Sequence, residues 1–523
     1  ALPSGIANAA TWTKADNTTA LTTSGSWTVA GVPAASGDSL LFDSTLTAYR
    51  AASIGAGLNV VGIQQTNAAG FEFEISSNGS NALSIGTGGV TITTGARLTF
   101  SSPVVLTGNQ TWSLATGRIN VKNTLTTGGN TLGVSGSGTG SGILSFSGNN
   151  TLGSEVTIGT MDRVYVQNGT VTFNGTNNTN SNFYIFGGTA NVASMGNLTG
   201  ASSIGKGSAF VQSGATLNYT GGNFASNKGF SRDSNGTSTI AVTTSGATLS
   251  MSGNLTTNTG ATTGGWSLGG AGNLTLSGNI ANGTSTAVTK TGLGTLTLSG
   301  SSNAYAGQTT VSGGKLTIAS TGNINSTSGV SIGAGEFNYN ASTALTKAVT
   351  FSGTGGILSG TGTINQAVNV TTGNTLAIGN SVGQMNFVDT LGLNGTTVME
   401  IDGTAGAGVT SGHDFANVTG AITYGGALML DMGTVFTIGS YSWNVFDFAS
   451  ATGTFSTITL ADQYSGSLLD GDSNGVWDLT SGDNTWQFNQ STGALGLTVI
   501  PEPKVAGLLG GLGVLCLLRR RTA

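Results

Sequence analysis

The sequence predicts an all-β fold: a parallel β-solenoid with atypical aromatic-rich end modules and a short hydrophobic C-terminal tail. Three observations predict it. Short alternating segments recur, among them TLSMSG from Thr248, NLTLSG from Asn273, TLTLSG from Thr295 and KLTIAS from Lys315. Their first apolar residues, Leu249, Leu274, Leu296 and Leu316, continue less cleanly through Phe337, Leu358, Leu376 and Val398 at a spacing of roughly 18 to 25 residues. Helical periodicity is essentially absent ahead of the tail.

Each segment alternates apolar residues with Thr or Ser, a period of two that marks a strand with one buried face. Leu296 and Leu298 should point inward, and Thr295 and Thr297 outward. Gly-Gly, Asn-Gly and Ser-Gly pairs between segments supply turns with positive φ. One such coil cannot bury its inner face alone, whereas coils stacked at about 4.8 Å bury a continuous core. Strands recurring at a fixed period near 20 residues therefore indicate a solenoid rather than a meander.

Composition fits this reading. Charged residues are 7% of the chain, against a usual figure of about 25%. Glycine is abundant at 88 residues, but 5 prolines and no three-residue period exclude collagen. A net charge of −5 is too small to indicate disorder by self-repulsion. The single cysteine, Cys516, lies in the tail, so no disulfide framework is expected. Lys and Arg total 16 with no basic patch outside the terminal cluster, which excludes nucleic acid as a partner.

In chain order, residues 1–80 read as an N-terminal arm with capping or assembly coils. Ala7-Asn8-Ala9 has the small-x-small form of a signal-peptide cut site, and the expectation is a short mature arm. Residues 81–410 form the solenoid body of roughly 20-residue coils, and 411–500 an aromatic-rich C-terminal β module. Trp12, Trp27, Trp443, Trp477 and Trp486 are five of the seven tryptophans and lie near the two ends. Solenoid ends expose a core cross-section and unpaired strand edges, so aromatic residues there indicate caps or joints.

Within the body, the stretch 289–318 carries Lys290, Gly292, Gly294, Leu296, Leu298, Gly300, Tyr305, Gly307, Thr309, Gly313, Gly314 and Leu316. This resembles the autotransporter-associated β-strand repeat, with its Lys-x-Gly-x-Gly-Thr-Leu-x-Leu-Ser-Gly, Tyr-x-Gly-x-Thr and Gly-Gly-x-Leu elements. The resemblance implies a right-handed parallel β-helix passenger at a bacterial surface. Its usual companion, an outer-membrane barrel, has no counterpart here, so export through an own barrel is not expected.

The last element, 501–523, joins Pro501-Glu502-Pro503, an apolar run at 505–518, and Arg519-Arg520-Arg521. It resembles the PEP-CTERM sorting signal of exported bacterial proteins. The resemblance implies recognition at Pro501, Glu502 and Pro503 and cleavage nearby by an exosortase-type transpeptidase. Independently, the arginines would hold the run at the cytoplasmic face of a membrane. As a helix the run spans only about 21 Å, short of the roughly 30 Å hydrocarbon core, which suits a transient anchor.

Residues that could carry chemistry are few. The only histidine, His413, precedes Asp414, but no nucleophile or oxyanion signature accompanies the pair, and a turn role is favoured. One histidine and one cysteine cannot build a His/Cys metal site. Asp470, Asp472 and Asn474, with Gly475, match the opening of an EF-hand-type calcium loop. The twelfth position is Ser481 rather than Glu and no helices flank it, so a polar hairpin turn is the favoured reading and calcium the lesser one. No enzyme activity and no cofactor are expected.

These readings converge on an exported structural protein whose subunits stack head to tail into cell-surface or matrix filaments. The expected partners are further copies of the chain, the export and sorting machinery and surface polysaccharide. The alternative is a surface adhesin or glycan-binding β-helix, using the aromatic residues of the end modules to stack on sugars.

Overall fold

The computed structural model describes residues 10–501 with short interruptions, the longest at 29–36, 136–142 and 174–181. The expected arm, apart from Ala10, and the tail beyond Pro501 lie outside the described residues. The chain forms two compact units, Ala1–Ser331 and Ile332–Ala523. It is an all-β parallel solenoid, with one short 3-10 helix at Ser24–Ser26 among the described residues.

In the first unit every described pairing between strands is parallel, and each coil turns through three faces. Leu83–Ile92 shows how. It bends at a corner and pairs with Val104–Leu106 through one half and with Gln110–Ser113 through the other. Arg97–Phe100 between them belongs to a second sheet, ten strands running from Arg50–Ser53 to Leu255–Thr257. The inward positions of that sheet stack into one column: Phe73, Leu98, Ile119, Leu144, Val164, Phe183, Ala209, Phe230 and Leu255. All nine are buried. Each contributes on the order of 1.5–3 kcal/mol for a large side chain, less for the alanine.

A third sheet holds the recurring Leu-Thr segments. Leu249, Leu274, Leu296 and Leu316 are successive register partners, each fully buried, with Thr275, Thr297 and Thr317 half-buried on the outward side. The expected inward and outward alternation holds here residue by residue.

The second unit repeats this arrangement with Phe337, Leu358 and Leu376 in register. The next position corrects the sequence reading: Thr397, not Val398, is the partner of Leu376 and is fully buried. Strand Thr396–Ile401 takes its phase from Met399 and Ile401, both fully buried, and a one-residue shift would turn both outward. Two buried large residues outweigh one valine. The Thr397 hydroxyl is consequently buried without a hydrogen-bond partner. The column continues through Leu428 and Ile458 with longer coils, as chain inserts between the strands.

Neighbouring coils are also tied on their outward side by amide ladders. Asn394 Nδ2 donates to Asn369 Oδ1 at 2.8 Å, Asn417 to Asn386 at 3.0 Å and Asn218 to Asn191 at 2.9 Å. Toward its C-terminal end the chain changes character. Gly439–Asn444, Ala494–Val499, Asn484–Asn489 and Val476–Ser481 form an antiparallel sheet in that order. No helix among the described residues is long and apolar enough to cross a membrane.

Two substitutions test the column. Leu296→Ala should cost about 2–5 kcal/mol of stability. Thr397→Val, which removes an unpartnered hydroxyl at nearly constant volume, should be neutral or stabilise by up to about 1 kcal/mol. Chemical denaturation of both variants checks the contrast; a costly Thr397→Val would place that residue outside the column.

Candidate functional site

The least expected groups in an apolar coil are charges, and among the described residues four cations are fully buried: Lys14, Lys228, Arg232 and Lys290. Lys290 shows why an inward lysine is tolerated. It follows Val288 on the inward side of Ala287–Thr291, one residue short of a corner. Its ammonium donates to Thr291 O at 2.9 Å, Gly292 O at 2.8 Å and, one coil on, Gly313 O at 2.9 Å. Three N–H groups meet three carbonyls, so the cation closes its own corner and joins it to the next. The glycines are part of the site. Gly314 has φ +60°, and a Cβ there would lie 2.5 Å from Gly292 O and 2.7 Å from Lys290 Nζ. Any side chain at 314 would displace the ammonium.

The rest of this coil is closed by hydroxyls. Tyr305 is fully buried with its hydroxyl 2.9 Å from Thr309 Oγ1, and burial pushes its pKa well up. Thr309 donates to Thr327, which donates onward to Gly307 O. Lys14 repeats the lysine solution near the chain start, donating to Ala15 O, Asn17 O and Asn17 Oδ1. Arg232 reaches Gly236 O and Thr263 O through Nη1 and Thr286 Oγ1 through Nη2. Ion pairs are scarce by contrast: among the described residues Asp16–Arg50 at 2.7 Å and Glu74–Lys122 at 3.7 Å. Internal charge is satisfied chiefly by backbone.

The two ends differ. The outward edge of Thr11–Thr13 is met at its Thr13 end by an antiparallel return of the chain: Thr28 N donates to Thr13 O and Ala15 N to Ser26 O. Trp27 is buried there against Trp12, ring centroids 6.2 Å apart. In the C-terminal module Trp443, Trp486, Phe446, Phe455 and Phe488 are buried. Phe488 packs edge-on to Phe446 at 6.3 Å, and Trp443 Nε1 donates to Gly403 O. One edge is left open. Phe446–Gly453 pairs along one side with Phe415–Tyr424, and no described strand pairs with its other side. Asp447, Ala449, Ser450, Thr452 and Gly453 on it are exposed.

Of the candidate calcium ligands, Asp470, Asp472 and Asn474 are brought together in one turn. Both Asp470 oxygens accept backbone N–H groups, from Asn474 at 3.1 Å and Gly475 at 3.0 Å. Asn474 Nδ2 donates to Asp472 Oδ2 at 2.8 Å, and its Oδ1 accepts from Val476 N. These carboxylates are turned onto their own loop. No group of three or more His, Cys, Asp or Glu side chains that could hold a metal occurs among the described residues.

His413 and Asp414 share no hydrogen bond. His413 is buried with Nε2 facing Asn444 O at 3.1 Å, and burial holds its pKa below the usual value. Asp414 is fully buried and accepts from Gly383 N and Glu400 N; burial pushes its pKa up to about 8 against the pull of those donors. Both residues fasten the 402–413 loop. Pro501 is exposed, whereas Glu502, Pro503 and Arg519, Arg520 and Arg521 lie outside the described residues.

A family model described as a passenger-associated-transport-repeat matches residues 288–318. No curated protein matches the chain. The matched span holds Lys290, Gly292, Tyr305, Thr309, Gly313 and Gly314, the groups that close one coil and start the next. The chain thus carries a repeat of exported, cell-surface passengers on a β-solenoid. The Lys290 motif is legible in sequence; the internal positions of Lys14, Lys228 and Arg232 are not, because nothing local marks them as inward.

The lysines impose a pH signature. Burial pulls Lys14, Lys228 and Lys290 down to about 8 from 10.5. Between those values the unfolded chain holds protons that the folded one has released, so stability should rise with pH from about 8 and fall back as pH drops through 8. Lys290→Met should reduce that rise and lower stability at pH 7, since three carbonyls lose their donor. Thermal midpoints of both proteins from pH 7 to 10 check the sign; a flat profile in the parent protein contradicts it.

Proposed function

We infer that the chain is an exported structural protein whose β-solenoid subunits join head to tail into cell-surface or matrix filaments. The observation that carries this is the open edge of Phe446–Gly453. Beyond Phe446, whose N–H donates to Gly493 O, the N–H and C=O groups turned away from Phe415–Tyr424 have no strand partner among the described residues, and no proline or lysine blunts them. Such an edge accepts another strand by β-augmentation. The N-terminal end differs, its edge being partly closed at Thr13 by the return through Ser26–Thr28, so a joint between the two ends is between unlike surfaces and propagates as an open polymer. The strand offered is the uncharged arm of residues 1–10 of the next copy, whose Ala10 leads directly into Thr11–Thr13.

The PEP-CTERM-like tail supplies the address in this reading. Pro501, Glu502 and Pro503 mark the processing site, and the short apolar run holds the chain at the inner membrane during export. The adhesin reading is weaker at the ends, because the tryptophans of the C-terminal module are buried against the chain itself and offer sugars no open ring face.

Two experiments test this function. Full-length protein should form filaments visible by negative-stain microscopy. Deleting residues 1–10, or placing Ala449→Lys and Ser450→Lys on the open edge, should leave β-rich monomers. Parent protein that stays monomeric at high concentration, or filaments indifferent to both changes, would overturn the joint. Replacing Pro501, Glu502 and Pro503 with alanine should retain the protein at the inner membrane, and normal surface amounts of that variant would contradict the sorting role.

A further inference from the structure

The outward side of the second sheet in the first unit is unlike the Thr-Ser-Asn surface of the third sheet. Two outward rows run along it, one residue per coil. In the first row Arg97 and Arg118 are register partners, Arg97 exposed and Arg118 half-buried. Neither makes an ion pair among the described residues. Glu72, the acid at the head of this row, accepts a hydrogen bond from Thr99.

The second row passes through Asn120 and the buried Ser145 to Tyr165 and Tyr184. Tyr165 and Tyr184 have ring centroids 5.2 Å apart, and Phe186, two residues beyond Tyr184 on the same face, closes the cluster. Phe186 lies 5.0 Å from Tyr165 and stacks on Tyr184 with ring planes 5° apart. Tyr165 is largely covered by its neighbours, Tyr184 is half-buried, and Phe186, at 36%, is among the exposed large apolar side chains of the described residues.

Clustered rings are costly on an exposed face unless something covers them. The neighbours choose the occupant. Coils repeat at about 4.8 Å along the sheet, close to the length of one pyranose unit, so successive rungs fall under successive sugars of a chain lying along the sheet. Stacked rings suit the C–H faces of pyranoses, and unpaired guanidinium groups suit carboxylates, which they bind through two parallel N–H bonds. A protein surface would not require that spacing, and a neutral glycan would leave the arginines unused. We propose that this face binds an extended, uronic-acid-containing polysaccharide, with Arg97 and Arg118 holding carboxylates and Tyr184 and Phe186, backed by the covered ring of Tyr165, stacking on sugar rings. The site is independent of filament formation, since it involves neither the arm nor the Phe446–Gly453 edge.

The test uses the full chain with polygalacturonate as probe and dextran as the neutral control, read by isothermal titration calorimetry at low and high salt. Polygalacturonate should bind and dextran should not. The Arg97→Gln, Arg118→Gln pair should weaken binding at least roughly tenfold and remove most of its salt dependence, and Tyr184→Ala with Phe186→Ala should weaken it similarly with salt dependence kept. Tyr184→Phe should retain affinity. Circular dichroism and melting confirm that each variant is folded; if the aromatic pair variant is not, Phe186→Ser alone replaces it. Absent polygalacturonate binding, equal binding of dextran, or affinity unchanged by either set of substitutions would overturn the proposal.

Discussion

In-register stacking of one coil on the next is the constraint on which the rest of the molecule depends. Coils about 4.8 Å apart bring every strand residue to hydrogen-bonding distance of its counterparts and every inward side chain onto the one below. Strand backbones then have partners, and the core becomes a set of columns. The same closeness is severe at corners, where carbonyls of adjacent coils converge. A Cβ at Gly294 would sit 1.9 Å from Gly272 O. The abundance of glycine is thus a consequence of stacking rather than of looseness.

Corner carbonyls that face inward need donors, and the chain supplies cations. Lys290 collects three carbonyls from two coils and Arg232 two, so a few charged residues satisfy what a water molecule or a longer turn would otherwise satisfy. Such bonds are shielded from salt in a way that surface ion pairs are not. A fold of this kind draws its stability from repetition, with no disulfide among the described residues. That is consistent with an exported protein so poor in charge.

Much of this was legible from residues. The Leu249, Leu274, Leu296 and Leu316 column could be read because Leu alternates strictly with Thr or Ser in strands of equal length. The column from Phe73 to Leu255 could not. Its members include Phe, Leu, Ile, Val and Ala, and its steps vary from 19 residues between Val164 and Phe183 to 26 between Phe183 and Ala209. Thr397 was misread because alternation within TTVMEI is ambiguous until Met399 and Ile401 are seen to be buried together. The aromatic residues of the ends were recognised, but not that those of the C-terminal module fold onto their own chain. The Tyr165, Tyr184 and Phe186 cluster stayed hidden because its members come together only when two coils are placed in register.

Register is therefore the claim to test directly. In a background with Cys516→Ser, Thr275→Cys paired with Thr297→Cys places two thiols on outward positions of neighbouring coils that are register partners. Their Cα atoms, one strand spacing apart, fall within the 4.4–6.8 Å range that a disulfide spans. The account predicts rapid and near-complete oxidation of this pair, observed by mass spectrometry, and little for Thr275→Cys with Thr295→Cys, which is displaced by two residues. Efficient closure of the displaced pair, or none of the matched one, would contradict in-register stacking.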